Sequence, residues 1–275
     1  MSRKPTLGNL FSGSGTWELA AEICGIDVLF EAEIEPFPVA LEAKRFPNAI
    51  QLGDVSKING AEIPPVDIFC SSSPCQDLSI AGKRAGLEGQ RSGLFTESIR
   101  ITKEMLDADR ERLHGERSDD DIRYLRPRFW CWENVPGSFS SNKGEDFRII
   151  IEEIARLSQK DAVIPLPKGG WSYAGVVEGE GWQIAWRTMD AQYYGVAQRR
   201  RRVFLVADLR GYRAAEVLFE RESVSWNFTE IANSWKDTSR SLRDRISEAS
   251  RIVMDGVRST EDDGRLEETV NQKNG

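Results

Sequence analysis

Histidine is nearly absent. The 275-residue chain has one, His114, inside the charged stretch DADRERLHGERSDDD, where a solvated side chain on a polar helix or loop is the ordinary reading. A Ser-His-Asp triad, a Cys-His pair or a multi-histidine metal site is thereby excluded. Any proton chemistry falls to carboxylates, arginine and water. Cysteine is sparse too: Cys24, Cys70, Cys75 and Cys131 form no C-x-x-C pair, which argues against a zinc site or a disulfide framework. Reduced thiols and no metal are expected. No apolar run approaches the roughly 18 residues of a membrane span, and MSRKPTLGNLF lacks the apolar core of a signal peptide. The expected address is the cytoplasm, with no membrane partner.

Forty per cent of residues are hydrophobic and 29% charged, which is the balance of a globular protein large enough for one large domain or for a domain plus an appendage. The net charge of −7 would disfavour a nucleic-acid partner if it were evenly spread. It is not: QRRRR at 198–202 is a basic knot, whereas the tail STEDDGRLEETVNQ is acidic. Local patches outweigh the sum.

Up to residue 208, short apolar runs alternate with helical patterns, the signature of a parallel sheet with crossover helices. The patterns predict strands at Thr6–Phe11, Val28–Glu33, Ala49–Gly53, Asp67–Cys70, Phe129–Trp132, Gln183–Thr188 and Arg202–Ala207. Helices are predicted at Trp17–Cys24, Val39–Arg45, Leu94–Ala108 and Phe147–Leu157. The glycine-rich LPKGGWSYAGVVEGEG reads as a loop. Residues 1–208 thus form the expected main domain, and 209–275 a short extension with a polar tail.

LFSGSGTWELA follows the first strand and opens the first helix. Such a turn brings backbone close to a ligand and aims helix N–H groups at it. Glu33, ending the second strand, can accept from ribose hydroxyls. Asp54, after the third, can accept from an exocyclic amine or simply cap a helix. Three such features at successive strand ends suggest an adenosine-type cofactor.

In CSSSPCQDLSIAGKRAG, Cys70 sits within an apolar run, but Cys75 lies beyond it, where a strand ends. Pro74 holds Ser73 extended. The following segment interleaves glycines with Lys83, Arg84 and Arg91, as a solvated loop or as a lid bringing cations to phosphates. Glu133, in FWCWENVPG, follows aromatic residues, and a carboxyl in such a setting is expected to be desolvated and to suit a general acid. In QRRRRVFLVAD, strand alternation would put Gln198, Arg200 and Arg202 on one face, able to meet anions and to orient a carboxylate.

In order and spacing, LFSGSG, PCQDLSIAGKRAG, ENVPG and QRRRRVFLV resemble the cytosine-5 DNA methyltransferases over roughly residues 5–208. The resemblance implies a Rossmann-like α/β domain, with a mostly parallel sheet and helices on both faces, that uses S-adenosylmethionine and acts on DNA. It implies Cys75 as nucleophile at cytosine carbon 6, Glu133 as acid partner of ring nitrogen 3, and Arg202 as the group holding the base. Arg200 is implied as a phosphate contact. For the cofactor it implies Phe11, Gly13, Gly15, Glu33, Asp54 and Pro74, and the target base must leave the duplex. The sequence departs from the family pattern at Thr16, usually glycine, and at Ile34, commonly aromatic. A target-recognition region and a returning Gly-Asn segment are not apparent after residue 208, so a second polypeptide supplying recognition is one expectation. Action on transfer RNA and a non-catalytic binding module are the alternatives.

Overall fold

The computed structural model describes residues 3–74, 93–114, 125–195 and 197–219. Within them eight strands form one sheet: β1 (Thr6–Leu10), β2 (Asp27–Ala32), β3 (Ile50–Gln51), β4 (Ile68–Ser71), β5 (Phe129–Asn134), β6 (Ala174–Gly179), β7 (Trp182–Asp190) and β8 (Arg201–Asp208). Their order is β3-β2-β1-β4-β5-β8-β7-β6. The pairings among β1 to β5 are parallel, and those from β5 through β8 and β7 to β6 are antiparallel. Among the described residues five α-helices accompany the sheet: α1 (Thr16–Ile23), α2 (Pro36–Arg45), α3 (Leu94–His114), α4 (Glu145–Ala155) and α5 (Ala214–Leu218).

Strand alternation divides the core. Phe69, Trp130, Trp132, Val203, Leu205 and Ala207 face α3 and α4, which contribute Phe95, Ile101, Met105, Phe147, Ile150 and Ile154. Cys70, Cys131, Phe204 and Val206 face the other way, against α1 and α5. Period-two side-chain placement puts successive residues on opposite faces, so β5 and β8 read as unbroken apolar runs because both faces are covered. Each large side chain sealed there adds about 1.5–3 kcal/mol relative to exposure. The architecture is α/β and Rossmann-like. No helix among the described residues is long and apolar enough to cross a membrane.

The mostly parallel sheet turns antiparallel in its last three pairings, because β8 runs back beside β5 instead of crossing over. Several local expectations change. The stretch read as a glycine-rich loop contains β6, the outer strand of a hairpin with β7. Its glycines serve the strand itself: Gly175 lies opposite Trp186 and Gly179 opposite Trp182. A Cβ at Gly175 would come within 2.2 Å of the Trp186 ring, and one at Gly179 within 2.5 Å of Trp182. These are seats for aromatic rings and not loop signals. The strand after the arginine run starts at Arg201, so Gln198–Arg200 precede it and the three-residue alternation proposed for Gln198, Arg200 and Arg202 does not hold. β3 shortens to two residues, and α3 continues to His114.

Candidate functional site

β1 to β5 all end at one edge, and because β8 is antiparallel its first residues lie there too. Open α/β sheets bind ligands at this carboxyl edge. The turn leaving β1 passes through three left-handed residues: Phe11 (φ 61°), Gly13 (φ 60°) and Gly15 (φ 74°). Phe11 is the notable one, since a bulky residue there is strained by about 1–3 kcal/mol and such strain gathers at ligand sites. The two glycines differ. A Cβ at Gly13 would meet nothing within 4 Å, whereas one at Gly15 would strike Phe46 at 2.8 Å. Gly15 caps α1 against α2, while Gly13 faces open space.

Glu33 sits opposite that loop. Its carboxylate accepts from the backbone N–H of Gly13 (2.9 Å), Ile34 (2.7 Å) and Glu35 (2.9 Å), joining the exits of β1 and β2. Ile34 is 68% exposed beside it. Asp54 caps the short 3-10 helix Val55–Lys57, accepting from Ser56 N at 3.0 Å and Ser56 Oγ at 2.8 Å. The Ser56 hydroxyl and N–H, with Lys57 nearby, hold its pKa below the ordinary value.

The three serines after Cys70 each anchor to a different element. Ser71 Oγ meets Ser98 Oγ of α3 at 2.9 Å, Ser72 Oγ accepts from Trp17 Nε1 of α1 at 3.1 Å, and the Ser73 carbonyl accepts from Asn134 Nδ2 at 2.9 Å. The backbone delivering exposed Pro74 is therefore fixed from three sides. Cys75, Lys83, Arg84 and Arg91 lie outside the described residues. Cys70 is fully buried and faces Cys131 across β4 and β5; burial, with Cys131 beside it, pushes its thiol pKa well up, as suits an inert core residue.

At the end of β5, Glu133 Oε1 meets Arg202 Nε of β8 at 2.7 Å, with both side chains about one quarter exposed. The expected apolar setting for this carboxyl is not found. Trp130 and Trp132 project to the opposite face of the strand, and the guanidinium is its partner. Asn134, which the sequence reading quoted but gave no role, is 5% exposed and also accepts from Val135 N at 2.8 Å. It links the exits of β4 and β5. Arg200 is exposed, and its backbone N–H donates to Asp190 Oδ1 at 3.2 Å. Beyond it opens a cleft lined by Tyr173, Arg187, Met189, Tyr193, Tyr194 and Arg201. The pair of tyrosines beside the arginine run was its only sequence signal.

One feature behind the glycine loop was missed altogether. Glu18 of α1, Glu31 of β2 and Glu42 of α2 are at most 1% exposed, and one carboxylate oxygen of each lies within 4.8 Å of the others. Asn9 Nδ2 donates to Glu18 Oε1 at 2.7 Å, and Gln51 Nε2 approaches Glu31 at 3.5 Å and Glu42 at 3.4 Å. Burial raises the Glu18 pKa. Burial and the neighbouring Glu18 carboxyl push Glu31 up to about 7. Burial and then the neighbouring carboxyls push Glu42 up to about 8. Three charges at this separation in a dry site cannot coexist uncompensated.

The fold and its glycine-loop edge define a Rossmann-like α/β protein whose ligand edge is built from five strand exits and one returning strand. The sequence pattern of the C-5 cytosine-specific DNA methylases matches residues 6–158 and 174–273; the chain belongs to that family, whose members use S-adenosylmethionine. The match continues past residue 208, where the quoted motifs end. The chain is 35% identical over 244 residues to a protein of Escherichia phage P1 named DNA N-6-adenine-methyltransferase, covering 80% of this chain and 31% of that protein. It is 29% identical over 202 residues to the type II methyltransferase M.MspI of a Moraxella species, covering 73% and 38%. A crystal structure described as a DNA modification methyltransferase encoded within an E. coli prophage aligns with TM-score 0.49 at 20% identity, over 80% of this chain and 49% of that one. The chain thus spans well under half of the length of these two curated relatives.

Proposed function

We propose that the chain methylates carbon 5 of cytosine in DNA, with Cys75 as nucleophile, Glu133 as proton donor and Arg202 as the group that positions Glu133 and the base. The observation carrying this reading is the Glu133–Arg202 pair at the carboxyl edge, next to the Ser73–Pro74 backbone that Asn134 tethers.

The chemistry assigns each group a task. Carbon 5 of cytosine is a poor nucleophile. Addition of the Cys75 thiolate at carbon 6, with a proton from Glu133 to ring nitrogen 3, turns the ring into an enamine that is nucleophilic at carbon 5. Arg202, paired to Glu133, holds that carboxyl toward the base and offers its remaining N–H groups to developing charge. Once carbon 5 carries its methyl group, loss of the carbon 5 proton to water and expulsion of Cys75 restore the ring, and ring nitrogen 3 returns its proton to Glu133. None of these steps requires histidine.

The strand exits fit an S-adenosylmethionine cofactor, because Gly13 leaves open space in front of a strained turn. Phe11, Gly13, Glu33, Asp54 and Pro74 would hold it, and Gly15 shapes the loop. Although Glu33 and Asp54 already accept from backbone and serine donors, each carboxylate keeps lone pairs for hydroxyls or an amine. When bound, the cofactor supplies an electrophilic methyl group on a sulfonium. Lys83, Arg84, Arg91 and Arg200 are assigned to phosphates. Exposed Tyr173 and Tyr193, beside Arg187 and Arg201, support contact with unstacked bases and backbone.

A second reading, methylation of the adenine amino nitrogen, is favoured by the name of the phage P1 relative. An amine attacks through its own lone pair and needs no thiol adduct. Cys75→Ala separates the two: the cytosine reading expects no methyl transfer with cofactor binding kept within a few-fold, and transfer at the wild-type rate would overturn it.

A further inference from the structure

We propose that Glu18, Glu31, Glu42 and Asn9 form a binding site for one calcium ion, set behind the glycine loop. Four oxygens there are fully buried and lack any hydrogen-bond partner: Glu18 Oε2, Glu31 Oε2, Glu42 Oε1 and Asn9 Oδ1. Asn9 adds a donor that is not an acid. Its side chain is 0% exposed and donates from Nδ2 to Glu18 at 2.7 Å, while its carbonyl oxygen is buried without a partner. Among the described residues, no lysine, arginine or histidine ion-pairs with Glu18, Glu31 or Glu42.

An oxygen-only donor set selects hard cations. Calcium suits such a set better than magnesium. Magnesium demands near-ideal octahedral geometry and keeps several waters, whereas calcium accepts protein carboxylates and carbonyls in flexible geometry. The donors here are buried side-chain oxygens without partners, and a bidentate carboxylate raises the ligand count. Scarce cysteine and histidine exclude thiolate and imidazole ligand sets, and carboxylates with an amide oxygen lie outside that exclusion. The ion would tie together β1, α1, β2 and α2, the four elements that carry Phe11, Gly15, Glu33 and Phe46. The inference does not depend on which base is methylated.

The test is calorimetric titration of calcium into the full chain after removal of metal with chelator, near neutral pH, alongside thermal melting with and without calcium. The wild type is expected to bind one calcium and to melt higher in its presence, with magnesium weaker. Glu42→Gln should weaken calcium binding by at least about tenfold, and Asn9→Asp, which adds a charged ligand, should tighten it. Should Glu42→Gln fail to fold, the Asn9→Asp comparison decides. No calcium binding by the wild type would overturn the proposal and leave protons as the sole occupants of the cluster. Equal binding by the wild type and both variants would overturn it by placing the ion elsewhere, for example on the acidic tail.

Discussion

Replacing Glu42 by glutamine should change how stability depends on pH, and the size of the change can be worked out. In the metal-free fold Glu31 titrates near 7 and Glu42 near 8, whereas both ionise near 4.5 in the unfolded chain. Between those values the fold holds protons that the unfolded chain has released, so stability is full at acid pH and is lost as pH rises. Each group contributes about 1.4 kcal/mol per pH unit. Two groups from about pH 5.5 to about pH 7 sum to roughly 4 kcal/mol, or roughly 8–16 °C in Tm for a domain this size. Glu42→Gln removes one of them. Relative to wild type, the variant should therefore gain about 1.4 kcal/mol per pH unit across this window. Urea unfolding in chelator at several pH values measures the difference directly. Parallel curves for the two proteins would refute the reasoning, because they would mean that Glu42 carries no extra proton in the fold.

Asn134→Ala releases the Ser73 carbonyl, and should cost about 1–3 kcal/mol of stability and lower kcat for methyl transfer far more than it weakens cofactor binding. Denaturant unfolding and equilibrium dialysis of labelled cofactor would check the two arms. Gly15→Ala, which meets both positive φ and Phe46, should destabilise more than Gly13→Ala by calorimetry, whereas Gly13→Ala should weaken cofactor binding with a cost of only about 1 kcal/mol. Asp208 is fully buried and receives Arg128 Nε at 3.0 Å and Nη2 at 2.9 Å. Burial opposes its ionisation, but Arg128 prevails and holds the carboxyl pKa below the usual value. The stability it provides is present above the unfolded pKa and lost as pH falls, and Asp208→Ala should cost about 1–3 kcal/mol by leaving the Arg128 guanidinium and the Arg210 and Arg213 N–H groups without their acceptor, measured by the same unfolding assay near neutral pH.

Much of the fold was legible because the parallel half of the sheet writes itself into local pattern. Apolar runs with glycine, acidic or serine residues at their ends located β1, β2, β4 and β5 within a residue or two. The antiparallel half was less legible: Gly175 and Gly179 look like loop glycines until Trp186 and Trp182 are seen lying over them. Gly13, Glu33 and Glu133 could be singled out as candidates from their places at strand ends, and Phe11, Pro74 and Arg202 from the family resemblance, Arg202 standing near the start of β8. Their partners could not, since the Glu133–Arg202 contact depends on the direction of β8. The carboxylate cluster left no motif at all. Glu18, Glu31 and Glu42 belong to three elements and read singly as surface acids, and only the packing of α1 and α2 on β2 brings them together.

The central claim is tested most directly by the identity of the methylated nucleoside. The purified chain would be incubated with S-adenosylmethionine and mixed-sequence duplex DNA, the DNA digested to nucleosides, and the products separated by mass spectrometry. The account expects 5-methylcytosine, absent when Cys75→Ala replaces the wild type. N6-methyladenine as the product, or 5-methylcytosine formed undiminished by Cys75→Ala, would contradict it.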